Sequence, residues 1–121
     1  MSKKILVVDD DEMILFVIRE LLEDMGHSVT GVSDPHEAIQ LAVDEDYDLI
    51  ILDLRMPDID GAELTDRILS RKPNARVLIN TGYPGDPLVQ TALDRGAVGM
   101  IRKPFEIEKL YDFLGKNQDA P

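Results

Sequence analysis

The sequence predicts an α/β fold in which helices cover both faces of a five-stranded parallel sheet. Three observations carry this reading. Short apolar runs alternate with helically periodic segments from one end of the chain to the other. Three of those runs are apolar throughout, as strands buried on both faces must be. Acidic residues stand directly behind two of the runs, where a sheet of this kind exposes its C-terminal edge.

The first strand is expected over Ile5–Asp9. The series Ile14, Val17, Ile18, Leu21, Leu22 and Met25 follows at helical spacing and is closed by Gly26. Ser28–Ser33 is the second strand. Asp34-Pro35-His36-Glu37 then opens a helix, with Asp34 as cap, Pro35 at the first helical position and Glu37 completing a capping box. Leu49–Asp53 is the third strand, and a helix over Ala62–Arg71 stops before Pro73. Arg76–Thr81 is the fourth strand, followed by a helix from Asp86-Pro87 to Gly96. Val98–Arg102 is the fifth, and Ile107, Leu110, Tyr111 and Leu114 mark the last helix.

Strands that alternate with helices pair in parallel through right-handed crossovers. The second strand is diluted by Ser, Thr and Gly, and the fifth contains Gly99, so these two read as edges. The order 2-1-3-4-5 satisfies the pattern and is the flavodoxin-like doubly wound arrangement. Its first and third strands are neighbours at the switch point, where ligands bind.

Composition narrows the function classes. The chain has 121 residues, 44% hydrophobic and 31% charged, which fits one domain over 1–121 with a polar, frayed tail at 116–121. Cysteine is absent, which excludes disulfides and thiolate metal sites. No apolar stretch approaches the roughly 20 residues that span a bilayer. Met1-Ser2-Lys3-Lys4 runs straight into a strand and leaves no room for a signal peptide, so a cytoplasmic location is expected. A formal charge of −11 opposes binding to nucleic acid or an anionic membrane and suits a cation or a basic partner.

The candidate site follows from the strand ends. Asp9, Asp10 and Asp11 follow the first strand. Two carboxylates about 4 Å apart repel by roughly 4 kcal/mol at an effective dielectric of about 20, so the charges need a cation or an escape to solvent. Asp53 ends the neighbouring third strand and converges on the same crevice as Asp9 and Asp10. Oxygen donors without His or Cys favour Mg²⁺ or Mn²⁺, and Mg²⁺ shares its shell with phosphate oxygens. Thr81, at the end of the fourth strand, offers a hydroxyl to a phosphoryl oxygen, and Lys103, after the fifth, offers an ammonium. Asp53 is the best-placed carboxylate nucleophile. Taken singly, each residue has a plainer role. Asp10 or Asp11 would cap the first helix, Asp53 would start an Asx-turn, Asp58 and Asp60 would shape the turn into Gly61, and His27 and His36 read as surface or turn residues.

Val7-Val8-Asp9-Asp10, Asp53-Leu54-Arg55-Met56-Pro57 with Asp60-Gly61, Thr81-Gly82 and Lys103-Pro104-Phe105 together resemble the receiver domain of two-component response regulators, of the chemotaxis-regulator type. The likeness runs in order and spacing over essentially the whole chain. It implies that Asp53 is the phosphoacceptor, phosphorylated from a histidine kinase or a histidine phosphotransfer protein. It implies that Asp10, Asp53 and the Arg55 backbone carbonyl bind Mg²⁺, with Asp9 acting through a metal-bound water. Thr81 and Lys103 would contact the phosphoryl group, and the Lys103–Pro104 peptide would be cis. The family's switch position, often aromatic, falls on Met100, so Met100 or nearby Tyr83 is expected to take that part. Arg55 and Tyr83 would flank the phosphoryl group, and Gly82 frees the loop after the fourth strand.

The implied function is a phosphorylation switch that catalyses only its own phosphorylation and dephosphorylation. It would act on an unknown output protein through the fourth helix, fifth strand and fifth helix. One alternative is a Mg²⁺-dependent phosphatase of the aspartyl-phosphate type, but the acid it needs two residues after Asp53 is Arg55. A nucleotide or flavin binder lacks its Gly-rich loop. A receiver-like interaction module that is never phosphorylated has no use for the intact acid set.

Overall fold

The computed structural model describes residues 2–103 and 106–114. The expectations for Pro104, Phe105 and the 116–121 tail, including the cis peptide, lie outside the described residues. Ten elements alternate along the described residues: β1 (Lys4–Val8), α1 (Glu12–Asp24), β2 (Ser28–Val32), α2 (Pro35–Asp44), β3 (Leu49–Asp53), α3 (Gly61–Arg71), β4 (Val77–Thr81), α4 (Pro87–Asp94), β5 (Gly99–Arg102) and α5 (Ile107–Phe113). All strand pairs are parallel, in the order β2-β1-β3-β4-β5.

The alternation of side chains along each strand divides the core into two layers. Leu6, Val8, Ile50, Leu52, Val77 and Ile79 face one side and pack with α2, α3 and α4 residues such as Ala38, Leu64, Ile68 and Ala92. Ile5, Val7, Leu49, Ile51, Leu78 and Ile101 face the other and pack with Leu15, Ile18 and Leu22 of α1 and Leu110 of α5. Every residue of β3 and β4 is buried, whereas β2 and β5 carry exposed or half-buried positions, as edge strands do.

Local chemistry sets the helix starts. Asp11, Asp34, Asp60 and Asp86 each cap a helix by accepting amide hydrogens from its first turn. Asp34 takes the His36 amide at 2.9 Å, so the cap bond runs to that amide rather than through a Glu37 capping box. The buried stripe of α1 is Leu15, Ile18 and Leu22, with Ile14 and Met25 packed beside it. Val17, expected in that stripe, is 42% exposed beside exposed Met13 and Phe16. The stripe is therefore rotated from the one read in the sequence, because Leu15 meets Gly31 of β2, whose missing side chain leaves room for it. Among the described residues, no helix is long and apolar enough to cross a membrane.

Candidate functional site

Val8 pairs with Leu52, so Asp9 continues β1 beside Asp53 at the end of β3. Ile5 and Val7, and Leu49 and Ile51, face the α1 and α5 layer, and the two-residue period puts Asp9 and Asp53 on that same face. Both carboxylates are buried, at 1% and 7% exposure, while Asp10 is exposed. One oxygen from each of Asp9, Asp10 and Asp53 lies within 4.8 Å of the others. Asp9 is held from behind, since its Oδ1 accepts the Asp11 amide at 2.9 Å. Asp11 points away from the cluster and caps α1 through the Met13 and Ile14 amides. The acidic trio of the sequence thus divides into two site residues and one helix cap.

Lys103 closes the site from the far side of the sheet. Its amide donates to the Thr81 carbonyl at 2.9 Å, which continues the β4–β5 ladder by one step. Its ammonium stands 2.9 Å from Asp53 Oδ1 and 3.0 Å from Asp9 Oδ2. Burial pushes the Asp53 carboxyl up, and the Asp9 charge adds to this; Lys103 works against both, and the result is about 6. Burial alone would lower the Lys103 ammonium, but the contacts with Asp53 and Asp9 outweigh it and hold the group above its ordinary value. Two of the three clustered carboxylates, Asp9 and Asp53, thus share one ammonium. Oxygen donors at this spacing fit a hard divalent ion, which would relieve the remaining repulsion.

The loop from β3 to α3 is folded tightly back on the strand end. The Gly61 amide donates to the Leu54 carbonyl at 2.8 Å, and Asp58 takes a left-handed backbone with φ of 75°. A Cβ at Gly61 would stand 2.5 Å from the Asp53 carbonyl oxygen, so only glycine lets α3 begin this close to the site. Asp60 caps α3 through the Glu63 amide, and His36 Nε2 meets Asp58 Oδ2 at 2.6 Å. Both aspartates shape the loop, as the sequence implied.

Thr81 is buried at the end of β4, one step past Asn80, which is paired with Asp53. Its hydroxyl oxygen accepts the Tyr83 amide at 3.1 Å. Gly82 lies in open space, as does Gly85 two residues beyond Tyr83, and the Tyr83 side chain is 75% exposed. Met100 is half-buried against the α4-side layer, paired with Ile79 two residues before Thr81 on the same face. The Arg55 side chain turns to Asp86, with two contacts of 2.7 Å. Two residues gained weight only in three dimensions. Asp86 was legible as a helix cap but not as the partner of Arg55, and Asn80 is a buried amide inside a strand whose preceding residues are apolar. Its polarity within Val77-Leu78-Ile79-Asn80-Thr81 was the available signal.

The fold agrees with that of known proteins. The family model described as response regulator receiver domain matches residues 5–114. The chain belongs to this family, whose members serve two-component signalling. Sporulation initiation phosphotransferase F of Bacillus subtilis is 31% identical over 116 residues, covering 96% of this chain and 94% of that protein. The chemotaxis protein CheY of Halobacterium salinarum is 31% identical over 114 residues, covering 94% and 95%. Other curated relatives are longer, and the chain spans from 20% to 53% of their length. Among solved structures, the receiver domain of a sensor histidine kinase from Pseudomonas aeruginosa PAO1, with a magnesium ion coordinated in its active-site cleft, superimposes with a TM-score of 0.86. It is 26% identical and covers 99% of this chain and 100% of that one.

Proposed function

We propose that the chain forms a single receiver domain that accepts a phosphoryl group on Asp53 from the phosphohistidine of a histidine kinase or histidine phosphotransfer protein. The observation that carries this reading is the Lys103 ammonium lying between Asp9 and Asp53, with Asp10 beside them, at the sheet edge where α/β folds bind ligands. A buried carboxylate held near an ammonium and a cation site is an aligned nucleophile, not a simple cap.

In this reading Asp10, Asp53 and the Arg55 carbonyl hold Mg²⁺, or Mn²⁺, with Asp9 acting through a water. When bound, the ion neutralises phosphoryl oxygens. An Asp53 oxygen attacks phosphorus as the phosphorus–nitrogen bond to the donor histidine breaks, and the electron pair leaves with the imidazole. Lys103 turns from the carboxylates to the phosphoryl oxygens, and the Thr81 hydroxyl exchanges its contact with the Tyr83 amide for one with the phosphoryl group. Thr81 and Met100 face the α4 layer, so this movement biases the α4-β5-α5 surface toward its output partner. A test of the switch position is Met100→Ala: unchanged phosphorylation-dependent partner binding removes Met100 from that role and leaves Tyr83. The chain would turn over only its own phosphoryl group.

Incubation with acetyl phosphate and Mg²⁺, followed by intact mass, tests the core of this. The expected result is a gain of one phosphoryl group that is lost in Asp53→Asn and absent with chelator. Turnover of many phosphate esters without an adduct would establish the phosphatase instead, and no reaction at all would establish an interaction module.

A further inference from the structure

Asn80 is the buried polar residue of the site region that the reading above leaves without a task. It is 1% exposed, and among the described residues neither its Oδ1 nor its Nδ2 has a hydrogen-bond partner. A buried amide with both ends unpaired is strongly destabilising, and a leucine or valine at this place would avoid the penalty. Its position gives the reason. Asn80 pairs with Asp53 on one side and with Ile101 on the other. Leu78 and Ile101 face the α1 and α5 layer, so Asn80 faces it too, in the same row as Asp9 and Asp53.

Lys103 leaves β5 two residues after Ile101, on this same face, yet its ammonium rests against Asp53 of β3 and Asp9 of β1. β4 lies between β5 and β3, and Asn80 is its residue in that row. To reach Asp53 and Asp9 from beyond β5, the lysine side chain has to pass the end of β4, where Asn80 stands next to Asp53 in the sheet. Its present seat is imperfect, because Asp9 Oδ2 is at ion-pair distance from the ammonium without hydrogen-bond alignment.

We propose that Asn80 is a positioning residue for Lys103. Its amide oxygen receives the ammonium when a divalent cation, held by Asp10 and Asp53 with Asp9 behind a water, draws the carboxylates away from the lysine. The inference rests on the metal reading of the site. Cation and ammonium compete directly for Asp53 and, through a water, for Asp9, and their like charges drive them apart. A neutral acceptor beside Asp53 lets the lysine withdraw a short way, keep a charge-assisted hydrogen bond and stay within reach of a phosphoryl group. An apolar residue at 80 would leave the displaced ammonium either unpaired or forced into solvent.

The experiment uses the full chain, with Mg²⁺ titrated by calorimetry and thermal shift into wild type, Asn80→Val and Asn80→Ala. Both variants are expected to bind Mg²⁺ about tenfold more weakly, the effect of one hydrogen bond to a charged group. Asn80→Val without metal should melt no lower than wild type, since it removes an unpaired amide. A purely structural amide would move the melting temperature and leave the Mg²⁺ affinity within about twofold of wild type, and that result overturns the proposal. If neither variant folds, the wild-type Asn80 side-chain amide resonances decide: they should shift with the same midpoint as Mg²⁺ binding, and resonances that stay put overturn the proposal. A wild-type chain that binds no Mg²⁺ overturns the metal reading and this one with it, whereas normal wild-type binding with unaltered variants overturns this one alone.

Discussion

Asp86 takes both arms of Arg55, Nε to Oδ2 and Nη2 to Oδ1 at 2.7 Å each, while its Oδ1 also accepts the Leu88 amide at 3.0 Å. One carboxylate thus ties the loop after β3 to the first turn of α4, across the loop that follows Thr81 and carries Tyr83. The guanidinium and the Leu88 amide hold the Asp86 carboxyl below its ordinary value. A depressed carboxyl contributes stability that is present above its unfolded pKa and is lost as pH falls through the folded one. Asp86→Asn keeps an acceptor for Leu88 and weakens the Arg55 pair; Asp86→Ala loses both. Amide exchange at Leu88 should therefore quicken in Asp86→Ala but hardly in Asp86→Asn. Equal quickening in both would assign the order of this helix end to the ion pair rather than the cap.

Asp53 has the opposite sign. Its folded pKa of about 6 stands above the ordinary carboxyl value of 3.8, chiefly because the group is buried. A raised carboxyl favours the fold while protonated, and that contribution is fully present below the unfolded pKa and disappears as pH rises through about 6. In chelator, the stability of Asp53→Asn relative to wild type should grow between the two values and then level off. Urea unfolding of both proteins across that range reads the difference. A flat difference would mean that Lys103 fully compensates the burial of Asp53.

The strand order was legible because apolar continuity separates central from edge strands, and β3 matched its expected bounds at Leu49–Asp53. The acid set was legible because strand ends in this topology share one edge. Other features depend on packing that a sequence does not print. Helical periodicity alone admitted Val17 to the buried stripe of α1, and only the room above Gly31 turned Leu15 inward instead. The Arg55–Asp86 pair joins residues 31 apart whose loops had no predicted register. The burial of Asn80 depends on the α1 and α5 layer packed over its face of the sheet, which no local pattern in the sequence prints.

Gly61 sets how closely α3 approaches the site. In Gly61→Ala the added Cβ would meet the backbone of Asp53 and Leu54 at 2.5 and 2.9 Å, and backbone cannot rotate aside as a side chain can. The expected cost is roughly 1–3 kcal/mol, as for overpacking elsewhere, together with weaker Mg²⁺ binding as the Asp53 strand end is displaced. Denaturant unfolding and Mg²⁺ titration check the two effects. Loss of stability with unchanged Mg²⁺ affinity would show that the loop yields and the carboxylate does not.

Lys103 is the only basic side chain among the described residues in contact with Asp9 and Asp53. Lys103→Met keeps much of the stem and removes the charge. Two mostly buried carboxylates then face each other without compensation, and breaking a buried pair from one side typically costs on the order of 3 kcal/mol. Part of this is recovered as Asp53 holds its proton to still higher pH, so the deficit should be smaller in acid and larger near neutrality. A divalent ion supplies the missing positive charge. Mg²⁺ stabilises by mass action according to its affinity for the folded state, and that affinity no longer includes displacing an ammonium. The melting temperature of Lys103→Met should therefore fall well below wild type in chelator and rise more steeply with Mg²⁺, so that the two curves converge at high concentration. Parallel curves would mean that metal and lysine do not compete for these carboxylates, and the ion would then have to sit on the Asp10 side alone.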